Sequence, residues 1–339
     1  MKSTYISWAR YQSRSASLAQ QLGASMHFIH HGKGRRPWTA PVRYVVQARR
    51  TWEVLQAERP DTVFAQNPPL PLVLLVYLYC RLHGARYVID SHTGAFLSPP
   101  WRQLQWLHRI LSRRAVTTLV HNWAQAELVR TWDCSFLELI DCPLALPPGE
   151  TIPLDGAFHV LAVCSYATDE PIADVIGVAR LLPDVDFYLT GDHSRMGRDL
   201  AETLPANCHC TGYLPYTDYL RLMRSVDVVM VLTTRDGTLL AGAFEALALR
   251  RPLILSDWPV LRSYFDAGAI HAANDPVALA DAVRRARLEL PALEQGIEAL
   301  AVRLHDMWQR QFAALLDVLA YAALASADGG GARQRRVEG

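Results

Sequence analysis

The chain alternates between short apolar runs and longer segments in which apolar residues recur at helical spacing. In the first half the runs predict strands at residues 4–8, 26–30, 62–66, 86–90, 116–121 and 136–140. Segments with helical spacing lie between them, for example "SRSASLAQQLG" and "WAQAELVRTW". Strand and helix in regular alternation indicate a parallel sheet that is covered by helices on both faces.

The alternation stops at "DCPLALPPGETIPLDG", whose four prolines and missing periodicity predict a connection between domains. It resumes with predicted strands at residues 158–165, 186–192, 208–214, 226–234, 252–257 and 268–273. We therefore expect an α/β protein of two facing, doubly wound Rossmann-like domains with a ligand cleft between them. The predicted division is 1–145 for the N-terminal domain, 146–157 for the linker, 158–303 for the C-terminal domain, 304–325 for a helix that can cross back, and 326–339 for a disordered tail.

Composition narrows the class of function. A net charge of +1 over 339 residues gives no global case for nucleic-acid binding. The six cysteines are scattered and no apolar secretory signal opens the chain, so we expect reduced thiols in a cytoplasmic protein. The apolar run at residues 69–80 is shorter than the roughly 20 residues that cross a bilayer, and it predicts a buried helix.

Two common site motifs are missing from the sequence. No G-x-G-x-x-G follows the first strand, which argues against a dinucleotide redox cofactor, and no acidic D-x-D pair ends a strand, so no metal is expected. The basic segment "HGKGRRP" at residues 31–37 is either a solvated turn or a contact for an acidic substrate.

The most informative segment is "TTRDGTLLAGAFEALALRRPLILSD", residues 233–257, in which a polar loop leads into an alanine-rich helix and an apolar strand. Gly237 and Gly242 permit close backbone approach, and the free N–H groups of a helix start attract phosphate. The carboxylate of Glu245 can accept hydrogen bonds from vicinal hydroxyls such as those of ribose. At this point a solvated surface glutamate is the alternative.

This segment resembles the paired-glutamate motif of the retaining, nucleotide-sugar-dependent glycosyltransferases of the GT-B fold, family four (glycosyl transferases group one). "YVIDSHTGAF", "DFYLTGD" and "CTGYLPYTDYLRLMRSVDVVMVLTT" are similar to segments of that family in the same order. The resemblance implies transfer of a sugar from a UDP- or GDP-type donor to a hydroxyl of a glycan or lipid-linked acceptor, with retention of anomeric configuration. It implies neither a cofactor nor a metal.

By this resemblance Glu245 binds the donor ribose, and His92 lies near the reacting carbon of the sugar. The turn that cradles the diphosphate matches Thr238, Leu239, Leu240, Ala241 and Gly242, and the loop beside the nucleobase matches Gly212, Tyr213 and Leu214. Asp90 can orient the imidazole of His92 or contact the acceptor, so we place it with His92 in the predicted catalytic set. A loop-capping role is the alternative for both residues.

The sequence departs from the family pattern in two places. Gly237 stands where the first glutamate of the pair is usual, and Asp236, one residue earlier, is the hypothesised substitute. The loop "CSYATDEPIADV" lacks the Arg and Lys that normally neutralise the diphosphate. Arg195 and Arg235 are the candidate replacements, since leaving-group charge needs a positive partner.

The first domain offers candidate acceptor contacts. Arg10 and Arg14 follow the first strand and either meet an acceptor phosphate or remain solvated. The segment "PPWRQLQWLHRILSRRA" suits either contact with an anionic membrane or a core-packed helix with a solvated face. Two other functions stay open: a nucleotide-sugar epimerase or hydrolase of the same fold, and a catalytically degenerate binding subunit.

Overall fold

The computed structural model describes residues 2–32, 40–144, 146 and 148–334, with side chains as far as residue 325. It divides into two compact units: Met1–Cys142 together with Trp308–Gly339, and Pro143–Met307. The boundary at residues 142 and 143 falls inside the proline-rich segment that predicts the connection between domains. Residues 33–37 of the basic segment lie outside the described part of the chain.

The first unit is built on a parallel sheet. Its strands are β1 (Ser3–Ser7), β2 (Ser25–Phe28), β3 (Thr62–Asn67), β4 (Arg86–Ser91), β5 (Thr118–Val120) and β6 (Phe136–Glu138), in the order β2-β1-β3-β4-β5-β6. Its helices are α1 (Ser13–Gln21), α2 (Ala40–Glu58), α3 (Leu70–His83), α4 (Gly94–Leu97), α5 (Gln105–Ser112), preceded by a 3-10 turn at Trp101–Leu104, and α6 (Trp123–Arg130). Strand β3 is buried throughout and β4 nearly so, as expected for strands covered on both faces.

The second unit repeats this architecture. Its strands are β7 (His159–Ala162), β8 (Asp186–Thr190), β9 (Cys208–Gly212), β10 (Val228–Val231), β11 (Leu253–Ser256) and β12 (Ala269–Ala272), in the order β12-β11-β10-β7-β8-β9. Its helices are α7 (Ile172–Leu181), α8 (Arg198–Glu202), after a 3-10 turn at His193–Arg195, α9 (Tyr216–Ser225), α10 (Ala241–Ala248), α11 (Pro259–Tyr264) and α12 (Pro276–Leu288). The strand order reverses between β7 and β10, which marks the topological switch point of this sheet.

The predicted α/β class with two doubly wound, Rossmann-like domains is confirmed. Each apolar run predicted as a strand overlaps one, and every strand pairing between them is parallel. The last helix, α13 (Leu290–Gln334), begins earlier and ends later than its sequence pattern suggests. It belongs to the second unit as far as Met307 and to the first unit from Trp308, where Gln311 accepts a hydrogen bond from the Ile140 amide at 3.0 Å.

Helix α3 differs from the buried helix that its apolar sequence predicts. One side packs on β3 and β4 through residues such as Leu72 and Val76, but leucines on the opposite side are exposed. The sequence could not show this, because a helix that is apolar all round carries no periodic signal. Within the described residues, no helix combines the length and apolar character needed to span a bilayer.

Candidate functional site

A pocket of about 460 Å³ opens at the carboxyl ends of the strands around the switch point of the second unit. It is lined by Val163, Cys164, Ser165, Thr190, Gly191, Asp192, Arg195, Tyr213, Leu214, Tyr216, Tyr219 and Glu245. These residues end or follow β7, β8 and β9 or lie on α9 and α10, so three strand ends and two helices build one concavity. We call it the switch-point pocket.

Glu245 lies in the second turn of α10 and is half-buried in this pocket. The hydroxyl of Tyr219 donates a hydrogen bond to its Oε2 at 2.6 Å. Burial raises the pKa of Glu245, while the hydrogen bonds from Tyr219 and Tyr216 oppose the shift. The carboxylate is therefore an oriented acceptor inside a pocket and not a solvated surface charge.

Aromatic side chains form another part of the pocket. Tyr213 follows β9 and is 87% exposed, with Leu214 beside it. On α9 the rings of Tyr216 and Tyr219 stack, with centroids 6.1 Å apart and 28° between their planes. Such flat, partly polar surfaces suit a planar heterocycle.

Arg195 is the cationic residue among the described lining residues of the pocket. It lies in the short turn after β8, and its guanidinium donates to the carbonyl oxygen of Ser165 at 2.8 Å. The loops after β7 and β8 approach closely here, because a Cβ on Gly191 (φ +86°) would lie 2.4 Å from the Cys164 carbonyl oxygen. Glycine is therefore needed at position 191, and the tight crossing holds Arg195 at the pocket wall.

The turn predicted to cradle a diphosphate leads into α10 without lining the pocket. Its members are Thr238, Leu239, Leu240, Ala241 and Gly242. No side chain caps α10, and the buried hydroxyl of Thr238 has no hydrogen-bond partner among the described residues. A Cβ on Gly242 would lie 2.8 Å from Val163 Cγ1, so glycine lets the helix start pack against the pocket wall. Gly212 (φ +70°) ends β9 beside Tyr213, also outside the lining.

Asp236 and Arg235 lie in the exposed loop after β10, and neither lines the pocket. Asp236 accepts a hydrogen bond from the Gly237 amide at 2.6 Å and so closes its own turn. Arg235 forms an ion pair with Asp169 at 3.6 Å. Their proposed substitutions, for the first glutamate and for the basic pair, stay predictions.

Glu170 lies in the loop after β7, and no sequence motif marks it as part of the site. Its carboxylate accepts hydrogen bonds from the amides of Ser165 at 2.8 Å and Ala167 at 3.1 Å, and from the Ser165 hydroxyl at 2.9 Å. Ser165 lines the switch-point pocket. An anionic side chain thus holds backbone donors at the edge of the pocket.

In the first unit, Asp90 at the end of β4 is the centre of a buried cluster, which we call the Asp90 cluster. Its other members are Tyr5, Arg14, His92 and His121. Tyr5 donates its hydroxyl proton to Oδ2, and Arg14 lies 3.4 Å from Oδ1. Burial alone would raise the pKa of Asp90, but Arg14 and the two histidines outweigh it and hold that pKa well below its usual range.

Both ring nitrogens of His92 have partners. Its Nε2 lies 3.1 Å from Asp90 Oδ2, and Gln12 Nε2 lies 3.0 Å from its Nδ1. Because the amide nitrogen of Gln12 can only donate, Nδ1 is the acceptor and Nε2 carries the proton toward Asp90. Asp90 therefore contacts the imidazole directly, and its role in orienting that ring stays a prediction.

The two arginines predicted to meet an acceptor lie in different environments. Arg10 is exposed and lines a second pocket of about 640 Å³, together with Gln12. Arg14 is buried, and its guanidinium donates to Asp141 at 2.7 Å and to the Leu139 carbonyl oxygen at 2.8 Å. The solvated position that the sequence allowed for Arg14 is wrong, because three long-range partners hold its charge in the interior.

Asp90, His92 and His121 bring ligand atoms within 4.8 Å of one another, a spacing that could hold a metal ion. Burial, Arg14 and His92 lower the pKa of His121 to about 4, so its imidazole is neutral. A cation at this point would, however, face the Arg14 guanidinium, which already neutralises the Asp90 carboxylate. The expectation of a metal-free site stays a prediction.

Tyr219, Glu170 and His121 were not among the residues singled out from the sequence. Tyr219 had a usable signal, since it lies one helical turn after Tyr216 on the predicted helix that follows the nucleobase loop. Glu170 and His121 gave none, because their partners are set by loop conformation and sheet order.

Part of the chain matches a known protein family. Residues 170–287 match the family model of the glycosyl transferases group 1. No curated protein sequence is significantly similar to the chain.

Solved structures share the fold along nearly the whole chain. Sucrose-phosphate synthase from Thermosynechococcus elongatus is 13% identical over 93% of this chain and 100% of its own, with a TM-score of 0.70. HepE from Anabaena, in complex with UDP and glucose, is 12% identical over 94% and 99%, with a TM-score of 0.70. MnaA from S. aureus, in a co-structure with UDP, is 12% identical over 90% and 95%, with a TM-score of 0.64. Residues 170–287 therefore match the glycosyl transferases group 1, and the chain as a whole shares the two-domain GT-B fold of these solved structures.

Proposed function

We propose that this chain is a glycosyltransferase that transfers a sugar from a nucleoside-diphosphate donor to a hydroxyl of a glycan or lipid-linked acceptor, with retention of anomeric configuration. The observation that carries the proposal is Glu245, an oriented and half-buried carboxylate in the switch-point pocket. Carboxylates accept well from the paired hydroxyls of ribose. HepE with UDP and glucose, and MnaA with UDP, lend support as structures of the same fold that bind a nucleoside diphosphate.

Each part of the donor has a matching group around the pocket. We assign the ribose to Glu245 and the base to the side of Tyr213 and Leu214. The diphosphate is assigned to Arg195 and to the uncapped start of α10, where Thr238 offers a buried hydroxyl without a partner. A charged guanidinium and helix N–H groups are both standard partners of phosphate.

The first unit is assigned the acceptor side and the support of the reacting sugar. We propose that His92, oriented by Asp90, contacts the donor sugar. Both ring nitrogens of His92 already have partners, so the hydrogen bond from Gln12 breaks when the sugar binds. Arg10 is the proposed contact for an acidic group of the acceptor. Arg14 acts through Asp90 as a positioning residue.

Binding of nucleoside diphosphates tests the donor assignment. Calorimetry with UDP and GDP should show binding of one or both, and Glu245→Ala should weaken it roughly 30-fold, about 2 kcal/mol, as for a lost hydrogen bond to a charged group. The matched control is Glu294→Ala, an exposed glutamate of the second unit away from the pocket. Failure to bind any nucleoside diphosphate would overturn the proposal and favour a degenerate binding subunit.

Product analysis tests the reaction class. A transferase needs the acceptor for turnover, so donor alone should be consumed slowly or not at all. Rapid conversion of the donor sugar without acceptor would indicate an epimerase or hydrolase of the same fold. The anomeric configuration of the product tests retention.

A further inference from the structure

The outer side of α3 carries a line of exposed leucines. Leu74, Leu78 and Leu82 are exposed, the last at 72%, and their spacing of four residues places them along one side of the helix. The buried side of α3 already packs on the sheet. The leucine line is thus apolar surface beyond what the core of the unit needs.

Helix α5 extends this apolar surface. It packs against α3 and exposes Trp106 (61%) and Ile110 (49%), again four residues apart. Tryptophan is favoured at the boundary between water and lipid because its ring is apolar and its N–H can remain hydrated. We call Leu74, Leu78, Leu82, Trp106 and Ile110 the apolar face.

A basic pocket adjoins the apolar face. This arginine pocket has a volume of about 340 Å³ and is lined by Tyr77, Cys80, Arg81, Ala85, Arg86, Tyr87, Arg113, Arg114 and Val116. Arg81 lies on α3 between two leucines of the apolar face, and Arg113 and Arg114 directly follow α5. Among the described residues that line it, four are arginines and none is acidic.

One arginine of the pocket is fixed in place by a backbone carbonyl oxygen. Arg113 is held by a hydrogen bond from its Nε to the Trp132 carbonyl oxygen at 2.7 Å, and its exposed contact with Asp133 is long, at 3.8 Å. Guanidinium groups brought together around one small concavity repel one another, and a bound anion relieves that repulsion. Arginine binds phosphate oxygens in a bidentate manner, so a phosphate group is the matching ligand.

We propose that the apolar face and the arginine pocket together dock the first unit on an anionic membrane surface, with lipid phosphate groups in the arginine pocket. The leucines and the tryptophan enter the interface between headgroups and acyl chains, while the arginines remain at the level of the phosphates. The side-by-side arrangement of apolar and cationic surface selects an anionic amphiphile over a free anion. This docking is independent of the proposed donor, because none of its residues lies in the switch-point pocket.

Vesicle sedimentation of the full chain tests the docking. The protein should bind vesicles of equal parts phosphatidylglycerol and phosphatidylcholine at about 0.1 M salt, bind pure phosphatidylcholine weakly, and lose most binding at about 1 M salt, where charges are screened within about 3 Å. Arg81→Gln with Arg114→Gln should weaken binding roughly 30-fold, and Leu78→Ser with Leu82→Ser by at least tenfold. Arg49→Gln and Leu288→Ser, exposed residues elsewhere, should change it little.

Three results would overturn the proposal. Equal binding to both kinds of vesicle would remove the role of charge. Unchanged binding in both double variants would place the contact elsewhere. Binding of inorganic phosphate that depends on Arg81 and Arg114, without binding to vesicles, would identify a site for a soluble anion. Since these substitutions lie on the surface, unchanged circular dichroism and nucleoside-diphosphate binding verify that each variant is folded.

Discussion

Replacing Asp90 by Asn should destabilise the first unit by about 3 kcal/mol. Asparagine keeps the shape of the side chain, so no cavity forms, but it removes the negative charge beside a buried guanidinium. Arg14 and Asp90 have side chains that are 4% and 0% exposed, and water cannot replace the lost partner.

The magnitude follows from what remains around Arg14. Removing one member of a buried ion pair typically costs 3–5 kcal/mol, roughly, because the other charge is left in the interior. Asp141 at 2.7 Å and the Leu139 carbonyl oxygen at 2.8 Å still accept from the guanidinium after the change. We therefore take the lower end of that range, about 3 kcal/mol.

Tryptophan fluorescence during urea unfolding measures this change in the correct unit. Of the nine tryptophans, Trp258 is the only one in the second unit, so the signal reports mainly on the first. With a slope of about 2 kcal/mol per M urea, the midpoint should fall by about 1.5 M. Asp133→Asn is the control, since its carboxylate is exposed and its ion pair is long.

A second variant separates lost charge balance from general damage. Arg14→Met combined with Asp90→Asn removes both charges, so the double variant should be more stable than Asp90→Asn alone. A midpoint for Asp90→Asn equal to that of Asp133→Asn would refute the reasoning. So would a double variant that is no more stable than the single one.

Three further predictions concern other parts of the chain. Glu170→Gln keeps an acceptor for the loop amides but removes a negative charge at the pocket edge. Calorimetry should therefore show that this variant binds UDP severalfold more tightly. Weaker binding would show that Glu170 supports the donor site. Burial lowers the pKa of His108 to about 3. Below about pH 6.5 this histidine is therefore protonated in the unfolded chain but stays neutral in the native chain. As the pH is lowered below that value, the free energy of unfolding of the first unit should decrease by up to about 1.4 kcal/mol per pH unit. In urea titrations at several pH values, His108→Gln should reduce this dependence of stability on pH. Gly268→Ala should lower the free energy of unfolding of the second unit by more than about 2 kcal/mol, because at φ +66° the new Cβ would lie 2.3 Å from the Ile297 amide nitrogen. Gly84→Ala is the comparison, since a Cβ there meets nothing within 4 Å. Equal melting temperatures of the two variants would contradict this prediction.

The sequence predicts the fold well because the signals for strands are local. Inner strands such as β3, β10 and β11 are buried along their whole length, so they appear in the sequence as largely apolar runs between polar helical segments. Glu245, Tyr213 and Leu214 were also within reach, since loops at the carboxyl ends of strands near the switch point converge on one pocket.

The rest depends on contacts that no local pattern carries. The acidic partners of Arg14 are Asp90 and Asp141, which lie 76 and 127 residues away along the chain, so its burial follows only from the strand order. The hydrogen bonds from the loop amides to Glu170 depend on the backbone conformation between β7 and α7. The exposed side of α3 could not be distinguished from its buried side, because both are apolar.

The way α13 is shared between the units has a consequence for biosynthesis. The first unit needs residues from Trp308 onward, where Gln311 binds the Ile140 amide, whereas the second unit is complete at Met307. On the ribosome, residues 1–142 therefore emerge first, but the first unit is incomplete until the end of α13 has been synthesised. Because domains generally fold as units once their residues are available, the second unit can finish folding before the first.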